Sequence, residues 1–373
     1  MFEILLDPNN YPFWILIIIV LAGAVAVISR PFSTYIKFVY PNAKFEAMGN
    51  PYITENGLNS LADSKDLSDF TDAVNASKNY QIEGETTQSI QESLDSSFLQ
   101  IIEMMKKDSS KKMVDFYDTY LEKMDMYLIK NEIKKKILAL SSDELILKKA
   151  ILPGTKEFLQ KIQGAEKEKL PDILKSYGFS QKVQQSILED TPGFLTLDSA
   201  IDKYVFFKLR EISVPYKCKQ GLQKFVKTFI DIRNIKNVLR AKQLGYNKES
   251  CMDLFIGEGQ EIALWKYQEL SEVDSVSQVI SSLEGTSYYN VLKNSIEMYN
   301  KENSVQFLEN ALDGFTLKLV KDISTENYVT IGPTLRFITS AEFEIKNLKI
   351  ITKGVGEHLP SDIIKTNLIT EVT

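Results

Sequence analysis

An internal repeat of roughly a hundred residues constrains the fold of this chain more than any other sequence feature. Three segments share two apolar residues spaced four apart and followed by aspartate: Ile90-Gln-Glu-Ser-Leu94-Asp95, Leu197-Asp-Ser-Ala-Ile201-Asp202 and Leu308-Glu-Asn-Ala-Leu312-Asp313. Each continues with apolar residues at helical spacing, which predicts an amphipathic helix. The chain is therefore expected to contain one helical domain three times.

Two further elements recur after each of these helices. The first is acidic-Ile-basic, at Glu132-Ile-Lys134, Asp231-Ile-Arg233 and Glu344-Ile-Lys346. The second resembles a helix start, where negative side chains face exposed amides, at Ser142-Asp-Glu144, Lys248-Glu-Ser250 and Pro360-Ser-Asp362. The order of three elements, repeated three times, predicts a triplicated domain.

Turn residues mark the start of each copy, and this sets the predicted boundaries. The openings are Ile53-Thr-Glu-Asn-Gly57, Leu152-Pro-Gly-Thr155 and Ile256-Gly-Glu-Gly259. Copy 1 is thus expected over 52–150, copy 2 over 151–254 and copy 3 over 255–373. No segment alternates with the period of a strand, so the predicted class is all-α.

The first part of the chain is apolar enough to cross a membrane. No charged residue occurs from Phe13 to Ile28, and about 18 residues suffice to span a hydrocarbon core of about 30 Å. We predict a transmembrane helix over about 12–29 within a segment 1–34, followed by a connecting segment 35–51. It carries no ionisable group in its middle, so it is expected to anchor rather than to carry ions.

The charges around this segment predict its orientation. Only Glu3 and Asp7 precede it, while Arg30, Lys37 and Lys44 follow it. The positive-inside rule then places the amino terminus outside and the body in the cytoplasm, in a single-pass arrangement at the cell membrane. Two alternatives stay open at this point: a signal peptide cleaved after Ala24-Val-Ala26, and a buried core helix.

Composition argues against several classes of protein. The formal net charge of −6 does not suit a nucleic-acid binder. Cys218 and Cys251 lack metal-ligand spacing and are expected to be buried thiols. His358, the one histidine, is expected in a surface loop, so histidine-dependent catalysis has little to work with.

The chemistry-bearing motifs are equally sparse. Gly257 and Gly259 are not followed by a phosphate-binding lysine, and Gly332-Pro333 is interpreted as a helix-breaking turn. The clustered lysines at Lys106-Lys107 and Lys111-Lys112 are expected on a solvated face or, alternatively, in a partner-binding patch. No catalytic, cofactor-binding or metal-binding residue is predicted.

The repeated acids form the one set that acid–base catalysis could use. Their members are Asp95, Asp202, Asp313, Glu132, Asp231 and Glu344. Basic residues follow three of them closely, at Lys134, Arg233 and Lys346. Ion pairs between helices, or helix caps repeated with the fold, are therefore the favoured interpretation.

Several of these residues resemble a known family, the C subunits of archaeal-type (A-type, V-like) ATP synthases, which are related to the d subunits of V-type ATPases. The likeness rests on Tyr40-Pro-Asn42-Ala-Lys44, on Glu342-Phe-Glu344-Ile-Lys-Asn347-Leu348 with Gly354, and on Asp231-Ile-Arg-Asn234 with Gly245. It spans about 35–370. The family is typically peripheral, so the apolar amino-terminal segment departs from its pattern.

The resemblance implies a funnel-like body of three similar helical domains around a pseudo-threefold axis. Its implied function is that of a non-catalytic rotor subunit that couples the central stalk to the membrane proteolipid ring, in proton or sodium transport linked to ATP synthesis. The expected partners are the stalk and ring proteins and, through the apolar helix, lipid; no cofactor, nucleotide or nucleic acid is expected. A membrane-anchored helical scaffold unrelated to ATP synthase is the alternative.

Overall fold

The computed structural model describes residues 11–50, 52–77, 80–141, 145–179, 184 and 193–371. Within these ranges the chain forms helices and no β-strand, which confirms the predicted all-α class. The predicted helix start at 142–144 lies outside the described residues.

The helices of the first half differ greatly in length. They are α1 (Tyr11–Met48), α2 (Glu55–Ala62), α3 (Leu67–Ala76), α4 (Thr87–Asp108), α5 (Val114–Ile137), α6 (Leu145–Lys149), α7 (Pro153–Gly164) and α8 (Leu170–Ser176), with 3-10 turns at Lys111–Met113 and Lys167–Lys169. The cap of α4 shows how local sequence sets such a boundary. The Thr86 hydroxyl accepts from the Ser89 amide, and the Ser89 hydroxyl accepts from the Thr86 amide.

The second half repeats the mixture of long and short helices. They are α9 (Phe194–Glu211), α10 (Lys219–Gln243), α11 (Lys248–Met252), α12 (Leu264–Glu272), α13 (Val276–Ser282), α14 (Tyr288–Asn294), α15 (Ile296–Glu302), α16 (Gln306–Glu326), α17 (Gly332–Gly356) and α18 (Ser361–Thr366). Each predicted amphipathic motif lies in a long helix, α4, α9 or α16, with its paired apolar residues buried.

Six long helices of the described part of the chain pack in a closed ring. In chain order α5 packs on α9, α9 on α10, α10 on α16, and α16 on α17. The ring closes because α17 packs on α4, which is joined through a short turn to α5. Each acidic-Ile-basic motif lies in the second long helix of its copy, α5, α10 or α17. The pseudo-threefold symmetry and the three-domain division stay predictions.

Apolar side chains fill the body in one large cluster and a second, smaller one. The large cluster joins α4, α5 and α9 to most of α17. The second packs the carboxyl-terminal half of α10 and the amino-terminal half of α16 against the short helices α12 to α14. Close packing of this kind resists deformation, since core side chains interdigitate with few voids.

Two turn predictions are corrected by the structure. Gly332-Pro333 begins α17 rather than breaking a helix, because proline suits the first helical turn, where its missing N–H would have no partner. Gly57 and Gly154 lie inside the first turns of α2 and α7, so only the third predicted opening, at 256–259, is a loop.

The amino-terminal helix is longer than predicted. It continues from Tyr11 to Met48, 38 residues or roughly 57 Å, so the segment expected as a connection is part of the same helix. Its apolar half is exposed, and by length and composition it could cross a membrane. The exposure contradicts the alternative of a buried core helix.

Candidate functional site

Asp202, the acid of the second repeat motif, lies in a buried ion cluster between helices. Lys130 of α5 approaches Asp202 of α9 to 2.5 Å, and Arg233 of α10 lies 3.3 Å away. Burial opposes ionisation, but the charges of Arg233 and Lys130 outweigh it and lower the pKa of Asp202. The carboxylate thus joins a helix of the predicted first copy to helices of the predicted second copy.

Asp313 has the corresponding arrangement in the third motif. Lys236 of α10 lies 2.5 Å from this carboxylate of α16, and Lys346 of α17 lies 2.8 Å away. The two cations lower the pKa of Asp313 against the effect of burial, while burial lowers the pKa of Lys236 to about 8. Here the carboxylate joins the second copy to the third.

Asp95 completes the set at the closure of the ring. Lys349 of α17 bonds to Asp95 of α4, and both side chains are more exposed than their counterparts. Lys134, in the basic position of the first copy, pairs with Asp198 of α9 at 2.7 Å instead. At each of the three junctions, a lysine of one copy therefore pairs with an aspartate of the next copy. The ion pairs predicted between helices are thus observed.

Asp231, the acid of the acidic-Ile-basic motif in the second copy, accepts hydrogen bonds from backbone amides rather than pairing with cations. Its carboxylate accepts from the amides of Gln260, Glu261 and Ile262 at 2.8–2.9 Å and from the Tyr288 hydroxyl at 3.0 Å. Burial raises its pKa to about 6. An acid of copy 2 thus positions the first residues of copy 3.

Glu344 does the same across the closure of the ring. It accepts from the Ile53 amide at 2.8 Å and from the Tyr80 hydroxyl. Burial raises the pKa of Glu344 to about 7. An acid of copy 3 therefore positions the opening segment of copy 1.

Two asparagines that were not predicted as site residues add a second backbone contact. Asn234 accepts from the Ile256 amide and donates to the Gly257 carbonyl, and Asn347 both accepts from and donates to Ile369. Each lies three residues after its acid, one turn along the same face. The recurrence of Asn at that spacing was the available sequence signal.

Glu132, the first-copy member of this set, has no such partners. Its side chain is fully buried, and neither oxygen has a hydrogen-bond partner among the described residues. Asp125, two turns earlier on α5, holds the Ile151 and Leu152 amides instead, at 3.0 and 2.9 Å. The predicted equivalence of the three acids therefore fails in the first copy.

The remaining sequence candidates lie apart from these acids. Cys218 and Cys251 are free and buried, and His358 is exposed in a turn with a φ of 56°, as predicted. Of the clustered lysines, Lys106 pairs with Asp118 at 2.6 Å. Within the described ranges no three His, Cys, Asp or Glu side chains group as a metal site. That the chain lacks catalytic and cofactor residues stays a prediction.

The turns that join the paired long helices gather around α1. Lys44 pairs with Asp108 of the first turn at 2.6 Å, and the Asn42 amide donates to the Tyr328 and Thr330 carbonyls of the third at 2.8 and 3.0 Å. We call this end of the body, formed by residues 108–114, 211–219 and 326–332, the turn end. The base of α1 is thus fixed where the predicted family motif around Asn42 lies.

The remaining turn, 211–219, contacts α1 nearer its apolar half, where the Arg30 guanidinium lies 4.4 Å from the centre of the Tyr216 ring. At the base of α1, Phe45 stacks on Phe337 of α17 at 5.0 Å. Arg30 is the first charge after the apolar stretch. Contact between α1 and the body therefore starts two residues after the apolar stretch that ends at Ile28.

Known proteins resemble the chain over nearly its full length. A family model described as "ATP synthase (C/AC39) subunit" matches residues 41–367. The C subunit of the A-type ATP synthase of Methanosphaera stadtmanae is 26% identical over 373 residues, 97% of this chain and 96% of that protein. Its counterpart in Methanocaldococcus jannaschii is 32% identical over 279 residues, 72% of this chain and 68% of that protein. The chain therefore belongs to the ATP synthase (C/AC39) subunit family.

Proposed function

We propose that this chain is the non-catalytic rotor subunit that couples the central stalk of an A-type ATP synthase to its membrane proteolipid ring. The observation that supports this most is the closed ring of six long helices with α1 fixed at its turn end. Such a body has one end next to the membrane and one end away from it. Family membership argues against the alternative of an unrelated scaffold.

The turn end is the proposed membrane side. The exposed apolar residues of α1 extend away from this end, and Arg30 and Lys44 contact the body beneath them. The amino terminus then lies outside and the body in the cytoplasm, as the charge asymmetry predicts. We place the apolar half of α1 in the lumen of the proteolipid ring, because the three turns contact α1 between Arg30 and Lys44, directly after its apolar stretch.

The opposite end of the body, where α5, α10 and α17 terminate, is the proposed stalk side. We call it the far end. Exposed leucines occur here, at Leu138, Leu140, Leu244 and Leu359. Apolar side chains at the ends of three packed helices suit burial against a protein partner.

Torque transmission is the task that the repeated acids suit. At each junction between copies, an ion pair or a carboxylate holding backbone amides restrains neighbouring helices. Apolar packing between those restraints resists torsion, because a close-packed core deforms little. The ring that they brace would pass rotation from the stalk to the proteolipids.

Purification from native membranes tests the proposal. The tagged full-length chain, extracted in mild detergent, is expected to recover proteolipid and central-stalk subunits together with the ATPase activity of the complex. Recovery of the chain alone, or with unrelated membrane proteins, would refute it.

Two matched surface variants test the assignment of ends. Leu244→Glu places a charge on the far end and is expected to reduce recovery of the central stalk while leaving the proteolipids. Tyr328→Glu, at a similarly exposed side chain of the turn end, is expected to do the reverse.

A cysteine at Ile18 should crosslink to inner helices of the proteolipid ring; crosslinks only to lipid-facing proteins would exclude the lumenal placement.

A further inference from the structure

Asp125 and Glu132 lie on the face of α5 that α7 covers. Asp125 bonds to the Ile151 and Leu152 amides just before α7, and Lys136 donates to the Gln163 and Ala165 carbonyls at its other end, at 2.5 and 3.1 Å. Positions 125, 132 and 136 share one helical face. Glu132 therefore lies between the two points at which α7 is attached.

α7 gives the Glu132 carboxylate no hydrogen bond, and its one buried hydroxyl, Thr155, bonds to Asp125 instead. Beyond its first turn, the amides of a helix donate to its own carbonyls, and the side chains that α7 buries are Thr155, Phe158, Leu159 and Ile162. In the other two copies a loop supplies free amides to the equivalent acid. Since an unpaired buried carboxylate is costly, closing α7 over Glu132 is opposed by desolvation.

A cleft also adjoins the face of α7 that packs on α5. This cleft of 780 Å³ lies between α4, α5, α7 and α9, and Phe158 and Thr155 of α7 line it with Met126 and Ile129 of α5. An unpaired acid and a cleft therefore both adjoin the face of α7 that packs on α5.

We propose that α7 is a lid that opens from α5 as a unit, pivoting on the Asp125 contact and bringing Glu132 into water. The junction between copies 1 and 2 can then open at α7, whereas at the other two junctions a loop is held by the acid. Opening of α7 involves residues of this chain alone and does not require the partners proposed above.

Hydrogen exchange of the purified full-length chain in detergent tests this lid. Amides of α7 are expected to exchange much faster than those of α17, because local opening sets their rate. Glu132→Leu removes the unpaired acid and is expected to slow exchange in α7 about tenfold without affecting α17. Glu132→Gln, a milder change, should slow it in the same direction.

Asp125→Asn is the matched control on the same helical face. It weakens the grip on Ile151 and Leu152 and should accelerate exchange in α7. Opposite effects at positions 125 and 132 support the lid. Exchange in α7 as slow as in α17, or a Glu132 variant that leaves it unchanged or accelerates it, would overturn the proposal.

Discussion

The ammonium of Lys236 lies 2.5 Å from the carboxylate of Asp313, with both side chains about one-tenth exposed, and this pair joins the second and third repeats. Its counterpart at the ring closure, Lys349 with Asp95, is more exposed. Because the two ion pairs differ in burial, loss of one lysine should change the free energy of unfolding by different amounts at the two junctions.

Lys236→Ala should therefore cost about 2–3 kcal/mol of unfolding free energy, since Asp313 would keep only Lys346. Lys349→Ala, at the exposed pair, should cost less than about 1 kcal/mol. Denaturant unfolding of the two variants measures the difference. Equal losses would show that burial does not set the strength of these pairs.

Glu344 makes stability depend on pH. Burial raises its pKa from an ordinary 4.5 to about 7, so between these values the folded chain binds the proton that the unfolded chain has released. The contribution of Glu344 to the free energy of unfolding is thus greatest at low pH and falls as pH rises from 4.5 to 7.

Glu344→Gln should flatten that part of the stability profile, measured by chemical denaturation across the same interval. Lys349→Ala changes a residue of the same helix but removes no buried carboxyl group, so it should leave the slope of unfolding free energy against pH unchanged. A Gln variant with an unchanged slope would mean that Glu344 titrates alike in both states.

Gly259 permits the close approach of a loop to Asp231. A Cβ at this position would lie 1.7 Å from the Asp231 Oδ1 atom, so Gly259→Ala must displace the carboxylate from the amides it holds. We expect a loss of about 3 kcal/mol in the free energy of unfolding.

Gly154→Ala is the control for this change, because a Cβ there would meet nothing within 4 Å inside a helix. It should be neutral or stabilising by up to about 1 kcal/mol. Thermal unfolding distinguishes the two variants, and a tolerated Gly259→Ala would contradict the observed approach.

Asn42→Ala should loosen the base of α1. It leaves the Tyr328 and Thr330 carbonyls without their donor, at a cost of about 1–3 kcal/mol. Limited proteolysis should then cut faster between α1 and the body. Tyr40→Ala, at an exposed side chain two residues away, should leave cleavage unchanged; equal acceleration by both would point to helix propensity instead.

Local patterns predicted some of these features and missed others. The apolar spacing around Leu94, Leu197 and Leu312 was enough to place three amphipathic helices, because helical periodicity is local information. The role of Gly259 was missed, since a residue 28 positions from Asp231 reveals its approach only when the loop folds back.

By itself the sequence determined the all-α class, the triplicated motifs, the apolar amino-terminal helix and, through residues such as Asn42 and Asn347, the family. Tertiary structure alone decided that α17 closes on α4, that Glu344 and Asp231 hold backbone while Asp202 and Asp313 hold lysines, and that Glu132 holds nothing among the described residues. The reason is physical: periodicity depends on near neighbours, whereas the partner of a buried charge depends on which distant segment packs against it.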